Sequence, residues 1–225
     1  MKRVVDKAIV LGRVNYAEAD RIVTMLTSNG GKLTLIAKGS RRLKSKLAGG
    51  IEPLALNEVT YMPGKSGMGT LVSSRMKENY SAFVGSHDVS RTVLAFSKWL
   101  NDHLEDGTGE EYFDVLYGAY RLLHLGRSSK LVYIYFYTRY FLLSGQGIDL
   151  SSDTSGKPLS ADMQYMFDHD SSGFVARDGA VYGADHIKLL RLVVASDPEV
   201  LSRLNENAAV VGEVKNLVHE YMSYL

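Results

Sequence analysis

The stretch Arg21-Ile22-Val23-Thr24-Met25-Leu26-Thr27-Ser28-Asn29-Gly30-Gly31-Lys32-Leu33-Thr34-Leu35-Ile36-Ala37-Lys38 decides the fold of the first third of the chain. Two runs rich in β-branched residues, Arg21 to Thr27 and Lys32 to Lys38, flank Asn29-Gly30-Gly31, a strong turn signal, so the segment reads as a hairpin. Lys7 to Val14 upstream, and Leu54 to Tyr61 and Thr70 to Met76 downstream, are further short strands, the last two joined by a Pro63-Gly64-Lys65-Ser66-Gly67 turn.

Five strands packed into the first 80 residues favour a small barrel, and the oligonucleotide-binding (OB) barrel is a five-stranded solution of that size. Beyond about residue 85 the period changes to that of helices. Ser86 to Glu105 opens on an N-cap residue and spaces Val89, Val93, Phe96, Leu100 and Leu104 by three and four. Asp106-Gly107-Thr108-Gly109 breaks that pattern, and Glu110 to Leu125 repeats it with Phe113, Leu116, Tyr120 and Leu123. Ser129 to Leu143 carries aromatic residues on every side, which implies a helix buried by its neighbours rather than a base-stacking platform. Asp185 to Ala195 and two helices after Pro198 complete an α+β chain, with an OB-type barrel domain over 1–80 and a helical domain over 81–225.

Composition narrows the chemistry. No cysteine is present among the 225 residues, which removes disulfides, thiolate metal sites and a cysteine nucleophile. No apolar run approaches the roughly 18 residues of a membrane span, so a cytoplasmic protein without a membrane partner is expected. The net charge is only +1, but it is divided: residues 1–80 hold 14 Lys and Arg against 6 Asp and Glu, and the remainder carries −7. A basic first domain on an acidic body points to a polyanionic partner, with nucleic acid first among the candidates.

Several local motifs fail on inspection. Gly64-Lys65-Ser66 imitates the end of a phosphate-binding loop, but Val59 stands where its first glycine belongs and a strand follows. Asp149-x-Ser151-x-Asp153-x-Ser155 imitates half a calcium loop, with Thr154 at the glycine position and Ser160 at the bidentate one. His87, His103, His124, His169, His186 and His219 lack metal-ligand spacing, and Asp168-His169-Asp170 reads as a solvated loop. No catalytic residue, cofactor or metal is assigned. Asp149, Asp153, Asp168 and Asp170 would be the carboxylates of a metal-dependent nuclease, the enzyme reading against which the others are set.

The basic loop is the positive signal. Lys38-Gly39-Ser40-Arg41-Arg42-Leu43-Lys44-Ser45-Lys46 has five cations and no acid, beside small residues that allow close approach to a phosphate backbone. Arg41 and Arg42 lead, since a guanidinium can also lie against a base. Lys38, Lys44 and Lys46 belong to the same patch, and Arg13, Arg21 and Lys32 would extend it if their strands face the same way. Weaker candidates for a protein partner are Arg121, Arg127, Lys130 and Arg139.

Glu18-Ala19-Asp20-Arg21-Ile22-Val23-Thr24-Met25-Leu26-Thr27, then Gly31-Lys32-Leu33, Ala37 to Ser45 and Glu52-Pro53 resemble the N-terminal domain of the bacterial RecO family of DNA repair and recombination mediators. The resemblance is specific over about residues 5 to 60 and extends in layout to the helical part. It implies an OB barrel followed by helices, and a non-enzymatic role on single- and double-stranded DNA that includes strand annealing. It also implies partnership with the acidic tail of single-strand binding protein and with RecR, help in loading recombinase, and a nucleoid-associated location. Many members carry a CxxC…CxxC zinc segment; here its positions fall on Ser152, Ser155, Ala176 and Gly179, leaving 149–182 either as a mobile flap or, the favoured reading, as a region held by packing of Leu150, Met166, Phe167, Phe174 and Val175. The other binding class is an RNA-binding OB protein of translation or RNA processing, because phosphate recognition is common to both nucleic acids.

Overall fold

The computed structural model describes residues 2–64, 67–81 and 87–224, apart from the side chains of His87 and Asp88. Lys65 and Ser66 of the expected turn, and the expected N-cap Ser86, lie outside the described residues. The chain forms two compact units, Met1–Tyr120 and Arg121–Leu225.

In the first unit β1 (Val4–Tyr16), β2 (Asp20–Thr27), β3 (Gly31–Ala37), β4 (Ala55–Gly64) and β5 (Gly67–Asn79) close a barrel in the order β1-β2-β3-β5-β4. Only the β3–β5 pair is parallel. The order is that of the five-stranded OB barrel, so the fold class read from the sequence is the observed one. Alternation along the strands turns Ala8 and Val10, Val23 and Met25, Leu35 and Ala37, Val59 and Tyr61, and Leu71 inward to one core. Ile51, in a short 3-10 turn at Ala48–Ile51, joins that core and is fully buried. Each of the larger side chains contributes about 1.5–3 kcal/mol on burial. Gly31, at φ +64°, is required where β3 meets the segment after the first helix: a Cβ there would sit 2.2 Å from the Thr108 carbonyl oxygen. The Lys32 amide then donates to that oxygen at 2.8 Å.

Two helices follow, α1 (His87–His103) and α2 (Tyr112–His124). Val93, Phe96 and Leu100 of α1 and Phe113, Leu116, Tyr120 and Leu123 of α2 are buried, as their spacing implies.

The second unit is built on α3 (Ser129–Leu143), α4 (Ala184–Ala195), α5 (Pro198–Leu201) and α6 (Ala208–Tyr224), with a hairpin of β6 (Tyr165–Asp168) and β7 (Gly173–Ala176). Ser128 caps α3, its hydroxyl accepting from the Leu131 amide at 3.2 Å. α3 is packed on by α4 and α6, and Tyr135, Phe136, Tyr137, Tyr140 and Phe141 are buried, so its aromatic girdle is core. Edge-on contacts such as Phe136–Tyr137 at 5.0 Å and Phe141–Tyr221 at 5.3 Å lock the rings.

The 149–182 region is held by fewer of the expected side chains. Phe167 and Phe174 are buried, but Met166 and Val175 pair across the hairpin's opposite face and are exposed. Strand alternation is the reason: with Phe167 and Phe174 inward, Met166 and Val175 must point out, and Tyr165 takes the second inward place on β6.

Candidate nucleic-acid interface

The basic loop leaves β3 at a carboxylate clamp. The Asp20 side chain accepts the Gly39 amide at 2.7 Å, and the Arg41 amide donates to the Ala19 carbonyl at 3.0 Å. The Arg41 guanidinium then reaches the Ala17 and Glu18 carbonyls at 3.2 and 3.0 Å, binding the loop to the β1–β2 turn. Two successive turns, Arg42 amide to Gly39 carbonyl at 3.1 Å and Ser45 amide to Arg42 carbonyl at 3.0 Å, bend the chain between them. The result is a shaped projection on which Lys38, Arg41, Arg42, Lys44 and Lys46 are all exposed. Leu43 stands at its apex, fully exposed.

The other nominated cations divide. Arg21 lies on β2, partly exposed, with its Nε 3.4 Å from the Asn15 side chain. Arg13 on β1 is taken up by Glu52, donating to both carboxylate oxygens, the longer bond at 2.7 Å, and to the Ile51 carbonyl at 3.4 Å. Lys32 caps a helix: its Nζ donates to the Asn101 and Leu104 carbonyls at 2.6 and 2.8 Å, where the dipole of α1 favours a cation.

In the second unit Arg121 pairs with Glu199 at 2.6 Å, and that bond holds the Glu199 carboxyl below its usual range. Arg127 donates to the Leu204 carbonyl at 3.0 Å and lies 3.7 Å from Glu206. Arg139 caps α4 through the Val193 and Ser196 carbonyls at 2.9 and 2.5 Å and lies over the Tyr135 ring. Lys130 is exposed at the start of α3.

Cations that sequence reasoning missed lie on α4. Lys188 and Arg191 line an apolar groove with Leu159, Ile187, Leu192 and Ala195, and Arg191 fixes one wall by donating twice to the Leu150 carbonyl, at 2.9 and 2.6 Å. Their signal was available in the i, i+3 spacing of two basic residues on an amphipathic helix. Asp20 was also missed, since a lone carboxylate before a basic loop carries no pattern.

The zinc positions do not suit a metal. Ser152, Ser155, Ala176 and Gly179 offer two hydroxyls, a methyl and no side chain. The neighbouring carboxylates are turned to the backbone: Asp153 accepts the Ser155 and Lys157 amides at 2.9 and 3.0 Å, and Asp149 accepts the Ser151 hydroxyl and amide and the Ser152 hydroxyl. The Ser151 and Ser152 bonds pull the Asp149 carboxyl down to about 2. Among the described residues no group of three or more His, Asp or Glu could hold a metal ion, and no helix is long and apolar enough to cross a membrane.

The family described as Recombination protein O N terminal matches residues 1–80, the span that ends just beyond β5. A DNA repair protein RecO of Halalkalibacterium halodurans is 25% identical over 223 residues, covering 96% of this chain and 87% of that protein. The RecO of Syntrophus aciditrophicus is 26% identical over 233 residues, covering 97% and 89%. Over nearly its whole length the chain is similar to proteins named DNA repair protein RecO. A further RecO, from Heliobacterium modesticaldum, reaches 37% identity over 119 residues, covering 52% of this chain and 42% of its own. The RecO likeness thus spans both units and takes in the barrel with its basic loop.

Proposed function

We propose that the protein is a DNA-binding recombination mediator acting in DNA repair without a covalent step. In this reading residues 1–80 bind single- and double-stranded DNA, and residues 81–225 receive protein partners. The relatives' name, DNA repair protein RecO, supports the repair role, and the observation that carries the reading is the exposed, acid-free projection from Lys38 to Lys46. Neutralising phosphates on two complementary strands lowers their repulsion, so such a surface promotes annealing without a nucleotide cofactor. Arg42, Lys44 and Lys46 are its primary phosphate contacts, with Lys38 and Arg41 beside them and Arg21 at its edge.

The helical part then meets single-strand binding protein and RecR, helping to load recombinase on covered strands. An acidic tail with apolar residues suits the α4 groove, where Lys188 and Arg191 supply the positive rim. Annealing of complementary oligonucleotides, bare and coated with single-strand binding protein, tests the whole: the protein should accelerate both. Acceleration of neither, or strong preference for RNA over matched DNA strands, would refute it.

A further inference from the structure

A second cationic surface lies on the wall of the barrel away from the basic loop. Lys7 pairs with Glu58 and Glu58 with Arg75, so these three form one row across β1, β4 and β5, and Val5, Thr60 and Ser73 form the next. One residue along, Ala8 and Val59 turn inward to the core, so both rows face outward. By the same alternation Arg3, just before β1, continues the face. Arg3, Lys7, Arg75 and Lys77 are all exposed. Glu58, between the cations, is taken by Lys77 at 3.1 Å, and Glu78 beyond it accepts the Tyr117 hydroxyl at 3.0 Å. Arg3, Lys7 and Arg75 have no charged partner among the described residues, so their charge is open to a partner.

Position separates this face from the projection. In the closed order β1-β2-β3-β5-β4, strand β4 lies across the barrel from the β2–β3 side that bears the basic loop. Along β1, Lys7 is about 30 Å from the turn at Ala17 and Glu18 that holds Arg41. That is about three Debye lengths at ordinary salt, so the two patches act as separate sites. Lys7 and Arg75 are about 10 Å apart, two strand spacings, and so act together on one run of phosphates. The two rows hold the Thr60 and Ser73 hydroxyls and one apolar side chain, Val5, which gives an acidic peptide no apolar groove to fill; phosphate contact needs none. A second copy of the chain fits poorly, since pairing the face with itself brings like charges together. We infer that this face holds a second DNA strand by its phosphates, with Lys7, Arg75 and Arg3 on the backbone, while the projection holds the first. The inference rests on the DNA-binding reading and adds a source of annealing rate: two strands on one barrel meet at an effective concentration of about millimolar rather than by encounter in solution.

The test uses the full chain with two thymidine oligonucleotides of about 10 nucleotides, one carrying a donor dye and one an acceptor, and sedimentation to count chains per complex. Wild type should carry both strands on one chain, seen as energy transfer between them. Lys7→Ala with Arg75→Ala should keep one strand at close to wild-type affinity and the same melting temperature, abolish the energy transfer, and slow annealing of complementary strands by about tenfold. Lys7→Arg with Arg75→Lys should retain both strands. One strand per wild-type chain, two strands found only on two chains, or energy transfer unchanged in the double Ala variant would overturn the proposal while leaving DNA binding intact. Failure of wild type to bind any strand would remove the DNA-binding reading and this inference with it.

Discussion

Replacing Arg42, Lys44 and Lys46 together by Ala isolates the phosphate term of binding. All three side chains are exposed, and none has a charged partner among the described residues, so their loss should change stability by about 0.5 kcal/mol or less. Arg41 is left in place because its guanidinium ties the projection to the β1–β2 turn, and removing it would alter shape as well as charge. Each phosphate contact to a single strand contributes roughly 0.7 to the slope of log affinity against log salt, so the triple variant should lose about 2 from the magnitude of that slope. Between about 50 and 200 mM salt the wild-type protein should then lose about 18-fold more affinity than the variant. The assay is a fluorescence anisotropy titration at four or more salt concentrations, with thermal unfolding as the control and with unrelated sequences expected to weaken alike. A folded variant with the wild-type slope and annealing rate would show that the projection only keeps the surface solvated.

Lys32→Met removes two charge-assisted bonds to the end of α1 and should lower stability by about 1–3 kcal/mol with the salt slope unchanged. A slope smaller by about 0.7 at constant melting temperature would place Lys32 on the DNA instead. Treatment with a chelator should leave the melting temperature unchanged, and elemental analysis showing one tightly held zinc per chain would contradict the reading of residues 149–182. Asp149 is held near 2 in the fold against about 3.9 in an unfolded chain, so its contribution is present above about pH 4 and fades as pH falls toward 2. Asp149→Asn should remove that part of the acid sensitivity in urea unfolding, and an unaltered acid limb would show that the serine bonds do not matter to stability.

The barrel was legible because its signals are local. Turn glycines and β-branched runs fix strands one at a time, but periodicity does not fix the order in which they close, and the parallel β3–β5 pair emerges only in the folded chain. Helix α3 spans the expected Ser129 to Leu143, the extent of its apolar and aromatic run. Met166 and Val175 were misplaced because a run of apolar residues does not state its phase: Tyr165-Met166-Phe167 offers two faces, and only the partner strand selects one.

The cations show where sequence reading stops. Lys32 and Lys44 are the same residue type within one basic stretch of chain, yet Lys32 answers two helix-terminal carbonyls and Lys44 answers none among the described residues. The difference arises from partners about 70 positions away, Asn101 and Leu104, whose free carbonyls exist only because α1 ends there. Arg13, Arg121 and Arg139 are claimed by the same accounting, through Glu52, Glu199 and the end of α4. A buried or half-buried acceptor left unpaired costs about 1–3 kcal/mol, so the fold spends its cations on such acceptors first. The positive charge that remains available to an external phosphate is then what no internal acceptor can reach. In the barrel Arg42, Lys44 and Lys46 of that remainder lie together on the projection beyond Arg41, while Lys2, Arg3, Lys7 and Arg75 are exposed outside it, so the charge division of the sequence and the candidate interface overlap only in part.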